Sequence, residues 1–270
     1  MSAAAPPTNR LVRAAALGLV AGFLSGLFGV GGGILIVPVL VLAMRMDQRL
    51  AHGTSLAAVL PIAVSGVIGF TLEDSVDWPV AGALVAGAMV GAVIGTHWLH
   101  KLPTAVLAYA FSSVLLLSAA RLVLDHSSAT GRQPLGVLGI VAMVALGLLA
   151  GTLAGLLGVG GGVVMVPAMI ILLGIPGAVA KGTSLAVIIP TSIVATTRNV
   201  KKGNAELPVA AAVGLAGVVS AYAASQISVG LDERTSSLLF AALLTVVAVR
   251  MVITTRRAPV ETAAVPAAGR

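Results

Sequence analysis

Long apolar runs separated by short polar connectors dominate the chain, and this pattern predicts its helices. Two of the runs, Leu11–Met44 and 134–173, are unusually long and are interrupted only by glycine clusters, and three further runs follow each of them. A run of roughly 20 apolar residues can cross the hydrocarbon core of a bilayer as one helix. The pattern therefore predicts an all-α, polytopic integral membrane protein. The predicted spans that follow the long runs cover 51–70, 79–98 and 104–124, then 179–198, 207–228 and 235–254.

Each long run contains the same glycine-rich block. Residues 26–38 read GLFGVGGGILIVP, and residues 155–167 read GLLGVGGGVVMVP. A continuous helix over Leu11–Met44 would be about 51 Å long, whereas the hydrocarbon core is about 30 Å thick. Glycine costs about 1 kcal/mol relative to alanine inside a helix. We therefore expect both long segments to break at their glycines.

The two halves of the chain match without a gap at a spacing of 129 positions. Pro38 pairs with Pro167, and the Gly-Thr-Ser-Leu-Ala stretch at 53–57 pairs with 182–186. The match predicts two homologous repeats, each with a glycine-broken first helix followed by three spans, a build common among secondary transporters. The predicted organisation is a disordered tail at 1–9, repeats at 10–125 and 134–255, a linker at 126–133 and a second disordered tail at 256–270.

The orientation of the repeats depends on how each glycine-broken segment enters the membrane. If the segment crosses once, the halves point the same way and Arg45 and Arg49 lie outside with the acids of 73–77 inside. If it dips in and returns, the halves are inverted and the basic connectors lie inside, where positive charge normally accumulates. The distribution of charge favours inverted repeats.

Composition supports the membrane assignment and excludes several classes of function. The chain is 58% hydrophobic and 9% charged, with a mean hydropathy of +1.08, whereas soluble domains carry about 25% charged residues. The net charge of +7 comes from basic loops and termini, so we expect a lipid bilayer as partner and no nucleic acid. There is no cysteine, and the four histidines are scattered. We expect no metal, no cofactor and no enzymatic nucleophile with its base.

The glycine clusters are the main candidates for chemistry. Their spacing does not fit a dinucleotide fingerprint, because Ile34 and Val163 stand where its last glycine would be. Close helix packing is one explanation. The other is that each break leaves backbone N–H groups unpaired at the start of a helix, where anions bind. The predicted substrate-binding glycines are Gly29, Gly31, Gly32, Gly33, Gly158, Gly160, Gly161 and Gly162.

Polar residues next to the clusters are further candidates. Paired hydroxyls at Thr54 and Ser55, repeated at Thr183 and Ser184, can cap a helix or donate to an oxyanion. Lys181 precedes the second pair: if it lies deep it should serve an anion, and if it lies at the interface it merely extends into the headgroups. Secondary candidates are His52, Arg198 and Asn199.

Glycines at four-residue spacing have a simpler interpretation. Gly87, Gly91 and Gly95 share one helix face, and their counterparts in the second half are also small. Small residues at this spacing let helices approach closely in membranes. We expect these positions, like the glycines at 18, 22 and 26, to serve packing.

The combination of motifs resembles the TauE/SafE family, the group of sulfite exporters and anion permeases. The resemblance rests on the two blocks at 26–38 and 155–167, each followed by Gly-Thr-Ser-Leu at 53–56 and 182–185, and it covers roughly residues 11–254. It implies a multi-pass protein of the plasma (inner) membrane that moves small sulfur-containing or organic anions, often outward. Members often carry a histidine late in the second span, where this chain has Phe70, with Asn199 at the repeat position.

We therefore expect a secondary carrier for sulfite, an organosulfonate or a related oxyanion, acting as an exporter. The alternative is a passive anion channel or an uptake permease for another small organic anion. Substrate, direction and coupling ion are not determined by the sequence, which also leaves assembly into a homo-oligomer open.

Overall fold

The computed structural model describes residues 8–98, 104–124, 136–157 and 160–257, and that part of the chain is entirely helical outside short connections. The all-α prediction is confirmed. The helices of the first half are α1 (Thr8–Phe28), α2 (Gly33–Leu42), α3 (Gln48–Thr71), α4 (Trp78–Trp98) and α5 (Thr104–Leu124). Those of the second half are α6 (Val137–Leu157), α7 (Gly162–Leu173), α8 (Gly177–Lys201), α9 (Leu207–Gly230) and α10 (Glu233–Arg257).

Within the described residues, seven helices are long and apolar enough to cross a membrane. They are α1, α3, α4, α6, α8, α9 and α10, and α5 stands where the remaining span was predicted. The two helices that follow the glycine clusters are short, with 10 residues in α2 and 12 in α7. Short helices of this kind reach only part of the way through a bilayer. The chain is a multi-pass membrane protein.

Helix ends differ slightly from the predicted bounds. Helix α3 begins at Gln48, earlier than expected, because the Asp47 side chain accepts a hydrogen bond from the amide of Arg49 and caps the helix. Helices α1 and α10 extend into the predicted tails, to Thr8 and Arg257. The rest of both predicted tails, and the predicted linker at 126–133, lie outside the described residues.

Helices of one half pack on helices of the other through glycine. Along α4, Gly87 faces Val144 of α6, and Gly91 faces Leu148, so closely that a β-carbon on either glycine would meet backbone. Gly95 continues the series. Residue numbers rise together in both helices, so α4 and α6 run parallel. The prediction that these glycines serve packing is confirmed. Helices α1 and α9 pack in the same parallel way, with contacts of Gly18 with Val213, Gly22 with Gly217, and Gly26 with Ala221.

The central pair of helices, α3 and α8, runs in opposite directions. Gly53 near the start of α3 faces Asn199 near the end of α8, and Gly182 near the start of α8 faces Phe70 near the end of α3. These two helices are more buried than the other long helices. Since α8 is the sequence counterpart of α3, their antiparallel arrangement supports inverted repeats. The side of the membrane that each connector faces stays a prediction.

Candidate functional site

Both glycine clusters break the helix, and glycine is what permits the break. Helix α1 ends at Phe28 and α2 begins at Gly33, and the backbone between them has positive φ at Gly29, Gly31 and Gly32, with values of 70°, 76° and 71°. The second break has φ of 89° at Gly160 and 73° at Gly161. Side chains make these conformations costly, whereas glycine adopts them freely. Gly158, the remaining predicted glycine, lies outside the described residues.

Within the described residues, amide groups at the first turn after each break have no hydrogen-bond partner. The amides of Leu35 and Ile36 both donate to the carbonyl of Gly32, and the amides of Val164 and Met165 both donate to that of Gly161. No side chain caps either helix start. The glycine N–H groups just before these amides donate to no described residue. They belong to Gly31, Gly32, Gly33, Gly161 and Gly162. These glycines are buried, and buried amides normally have a partner.

The two breaks lie against each other in the centre of the molecule. A β-carbon placed on Gly162 would be 2.6 Å from the carbonyl oxygen of Gly29 and 2.9 Å from Cα of Val30. On Gly31, a β-carbon would lie 3.1 Å from Ile188 Cδ1 and 3.2 Å from Val59 Cγ1. The breaks therefore converge beside the middle of α3 and α8.

Ser184 places a hydroxyl at the second break. Its Oγ would be 2.7 Å from a β-carbon on Gly162, the first residue of α7. The side chain is 0% exposed, and its hydroxyl makes no hydrogen bond. Its repeat counterpart, Ser55, is equally buried but has a partner. An unpaired hydroxyl next to unpaired amides forms a group of donors and acceptors with no protein partner.

The neighbouring threonines serve the packing of the halves instead. The Thr54 hydroxyl accepts a hydrogen bond of 2.9 Å from the amide of Glu206, which precedes α9. The Thr183 hydroxyl accepts one of 2.9 Å from the amide of Asp77, which precedes α4. Each threonine thus satisfies a backbone donor at a helix start in the other half of the chain. The geometry shows both hydroxyls as caps of helix starts in the other half, and the prediction that they bind substrate stays a prediction.

Lys181 is buried deep between helices. Its side chain is 2% exposed, and Nζ lies 2.9 Å from Ser228 Oγ of α9 and also donates to Ser236 of α10. The ammonium is 6.0 Å from the centre of the Phe28 ring. The backbone of the same residue adjoins the first break, since a β-carbon on Gly29 would be 2.5 Å from Lys181 Cα. The lysine does not reach the surface of the molecule.

The three secondary candidates lie near the ends of α3 and α8. His52 is half-buried in the second turn of α3. Arg198 is exposed near the end of α8, where Nη1 is 3.5 Å from the carbonyl oxygen of Val93. The amide of Asn199 bonds one turn back to the carbonyl of Ala195 at 2.9 Å. The prediction that these three residues contribute to the site stays a prediction.

A comparison with known protein families matches both halves of the chain. A family model described as "Sulfite exporter TauE/SafE" matches residues 2–122 and 143–269, which is most of the chain. The chain belongs to the TauE/SafE family. The resemblance of the glycine-rich blocks is thereby confirmed, and TauE/SafE membership favours a membrane transporter over an enzyme.

Curated relatives carry names of the same kind. "Probable membrane transporter protein YunE" of Bacillus subtilis is 33% identical over 110 residues, which cover 41% of this chain and 40% of the relative. A "Probable membrane transporter protein" of Haemophilus influenzae is 32% identical over 162 residues, 56% of this chain and 59% of the relative. One from Xylella fastidiosa is 38% identical over 85 residues, 32% of this chain and 33% of the relative. The matched stretches thus span about a third to three fifths of these relatives.

Several buried polar residues of this TauE/SafE protein were missed by reasoning from the sequence. Ser25, Ser192 and Thr196 each have a buried hydroxyl without a hydrogen-bond partner, and Ser228 and Ser236 hold the Lys181 ammonium. Serine and threonine are common in membrane helices, where they bond back to their own helix, so single hydroxyls gave no signal. A signal was present in the repeat alignment, because Ser192 and Thr196 replace Ala63 and Val67 of the first half.

The arrangement presents hydrogen-bond donors of the kind that anions accept from. Two helix starts, unpaired amides and the Ser184 hydroxyl offer hydrogen bonds without a competing carboxylate. In the residues that the structure describes, there is no cluster of three or more histidine or acidic side chains that could hold a metal. The break glycines are buried, and the apolar surface grooves that the structure shows lie elsewhere, between α3 and α9 and between α4 and α6. Surrounding helices enclose the described break glycines in this structure.

Proposed function

We propose that this chain is a secondary carrier for a small anion, with sulfite, an organosulfonate or a related oxyanion as substrate. The family description names sulfite export, and the relatives are named membrane transporters, which supports transport and suggests the outward direction. The protein would act in the plasma membrane as a multi-pass carrier. It needs no cofactor in this scheme.

The observation that carries the proposal is the meeting of two helix starts whose amides lack partners. A helix start bears about half a positive charge from the aligned peptide dipoles, and its free N–H groups bind anions directly. The first break adjoins the second through Gly29, Val30 and Gly162. Such donors are tolerated inside a membrane protein where they face a ligand or a water-filled space. A bound oxyanion would satisfy them.

Ser184 adds a side-chain contact to this site. Its hydroxyl is buried, has no partner and lies at the first residue of α7. A buried polar group without a hydrogen bond costs about 1–3 kcal/mol, so retention of this serine is explained if it binds the substrate. Oxyanions accept hydrogen bonds from neutral hydroxyls and amides alike.

The arrangement of helices suggests how the site would be reached from each side. Helices α3 and α8 are antiparallel, and each repeat supplies one break to the common centre. In carriers built from inverted repeats, the halves rock about a site at the bilayer midplane and expose it alternately. The closed structure would then be an occluded state between two open ones.

Substitution of the break glycines tests the proposal. Gly32→Leu and Gly161→Leu each place a side chain on a backbone of positive φ, so both should reduce substrate flux into proteoliposomes by at least tenfold. Gly82→Leu is the matched control, because Gly82 is exposed on α4 and a β-carbon there meets nothing within 4 Å. Size-exclusion chromatography in detergent would establish folding. Unchanged flux through a folded variant would refute the site.

A milder variant covers the case in which the leucine variants do not fold. Ser184→Ala removes only the unpaired hydroxyl, and we expect it to weaken substrate affinity several-fold while leaving the fold intact. Affinity equal to that of the wild type would exclude Ser184 from the site. The test panel is sulfite, methanesulfonate and acetate in counterflow.

Counterflow also separates the carrier from the alternative functions. A passive anion channel would show flux that does not saturate and no exchange of internal for external substrate. An uptake permease for another organic anion would exchange acetate or a related carboxylate in preference to sulfite. The two converging breaks favour a carrier, since a central closed site suits alternating exposure.

A further inference from the structure

The environment of Lys181 points to the charge of the substrate, an inference that rests on the proposed function. We propose that Lys181, Ser228 and Ser236 form a second anion-binding position, specific for a singly charged oxyanion, at one end of the molecule only. We define this group of three residues as the lysine site. It lies where α1 and α9 end and where α8 and α10 begin.

Among the residues that the structure describes, no acidic side chain pairs with the ammonium. Lys181 is 2% exposed, and the ion pair that the described residues contain joins Arg10 to Glu206 instead. The groups around the ammonium are two hydroxyls and the ring of Phe28, all of them neutral. Burial of a charge without a counter-charge is costly in proteins and in membranes. An anion next to the ammonium would remove that cost.

The lysine site has hydrogen-bond donors to spare. An ammonium group has three donors, and two of them are directed to Ser228 and Ser236. The Ser228 hydroxyl donates its hydrogen bond to the carbonyl oxygen of Leu27 at 2.8 Å. Ser236 accepts from the lysine, and its hydroxyl donates to no described residue. One ammonium N–H and the Ser236 O–H are thus available, which suits two oxygens of one oxyanion.

The repeat alignment shows that the site is absent from the other half. The positions that correspond to Ser228, Ser236 and Phe28 are Leu99, Leu107 and Leu157, and His52 corresponds to Lys181. The lysine site therefore has no equivalent set of residues at the matching positions of the other repeat. If the halves are inverted, only one side of the membrane has it, and the two entrances to the central breaks differ in their attraction for anions.

The position also fits a route to the central breaks. The backbone of Lys181 packs on Gly29, and Phe28 and Leu27 of the lysine site directly precede the first break. An anion that moves between this end and the breaks would pass the ammonium. Because one fixed positive charge balances one negative charge, and the remaining donors are neutral, a monoanion would bind better than a dianion.

The test is anion-dependent thermal stability of the purified protein in detergent. Methanesulfonate is the monoanion, sulfate the dianion and dimethyl sulfone the neutral analogue. We expect saturable stabilisation of the wild type by methanesulfonate, weaker stabilisation by sulfate and none by dimethyl sulfone. Lys181→Met should weaken the apparent affinity for methanesulfonate at least tenfold, because hydrogen bonds to a charged group are the strong ones. Lys201→Met, at the exposed end of the same helix, should not change it.

Each outcome decides the proposal. A folded Lys181→Met protein with unchanged affinity and unchanged discrimination would overturn it, as would a wild type that methanesulfonate does not stabilise. If Lys181→Met does not fold, Ser236→Ala carries the test: it keeps the charge and should lower the affinity several-fold, and unchanged affinity would again overturn the proposal. The two proposals can fail separately. If the lysine site fails this test but Gly161→Leu still abolishes transport, the proposed carrier function remains supported.

Discussion

Helices α3 and α8 occupy equivalent places in the two repeats, yet their buried faces differ in polarity. Helix α3 presents Ala63, Val67 and Phe70 where α8 presents Ser192, Thr196 and Asn199. The hydroxyls of Ser192 and Thr196 are buried without partners. Both helices keep the Gly-Thr-Ser triplet that packs on the opposite half. The features that hold the repeats together are thus shared, whereas those that could bind a solute are concentrated in α8.

The difference suggests that the repeats have divided their roles. Residues shared by both repeats hold the halves together, since Thr54 and Thr183 make equivalent hydrogen bonds to the starts of α9 and α4. Asymmetric residues, namely Lys181 against His52 and Ser192 against Ala63, form a polar face along one helix only. Substitutions at equivalent positions of α3 and α8 can separate the two roles.

The largest effect is expected where both helices use glycine as a contact. A side chain on Gly53 would meet the carbonyl of Asn204, and one on Gly182 would meet that of Ser75. Gly53→Leu and Gly182→Leu should therefore each destabilise the fold by about 3 kcal/mol or more, by similar amounts. Unfolding in detergent would measure this. Gly82→Leu, at an exposed position of α4 where a β-carbon meets nothing within 4 Å, is again the control. A large effect at one position alone would refute the shared role.

The next effect separates stability from transport. Ser192 is 1% exposed and its hydroxyl is unpaired, so Ser192→Ala should raise the free energy of unfolding by about 1 kcal/mol. If α8 supplies the polar face along which the anion moves, the same change should lower flux several-fold. The reverse change in α3, Ala63→Ser, should lower stability without raising flux. Ser192→Ala with higher stability and normal flux would show that the hydroxyl is not used in transport.

The sequence was informative about the symmetric features and much less so about the asymmetric ones. Both helix breaks, the order of spans and the packing of Gly87, Gly91 and Gly95 follow from helix length and from the cost of glycine in a helix. The partners of Thr54 and Lys181 could not be predicted in the same way. They lie on other helices, in the opposite half or in a different part of the same half, and side-chain partners across helices depend on rotation and depth, which periodicity leaves open.

A smaller and symmetric effect is expected at the threonines. Thr54→Val and Thr183→Val each remove an acceptor for a buried backbone amide while keeping the volume of the side chain. Each should lower the free energy of unfolding by about 1 kcal/mol, as for the loss of other helix caps, and leave substrate affinity unchanged. Thermal unfolding and counterflow on the same preparations would measure both quantities. A loss of substrate affinity without a loss of stability in either variant would indicate that this threonine binds the substrate.

The smallest effect concerns the ion pair between Arg10 and Glu206. Its atoms are 2.9 Å apart and the side chains are 32% and 21% exposed. The repeat position of Arg10 is Gly139, so α6 cannot make the same bond to Asp77. Since partly exposed pairs contribute about 0–1 kcal/mol, Arg10→Gln should destabilise by less than about 1 kcal/mol, and less again at high salt. A double-mutant cycle with Glu206→Gln would isolate the coupling. Coupling well above this range would mean that the pair fixes one end of the protein, because α1 leads directly into the first break and α9 packs alongside α1.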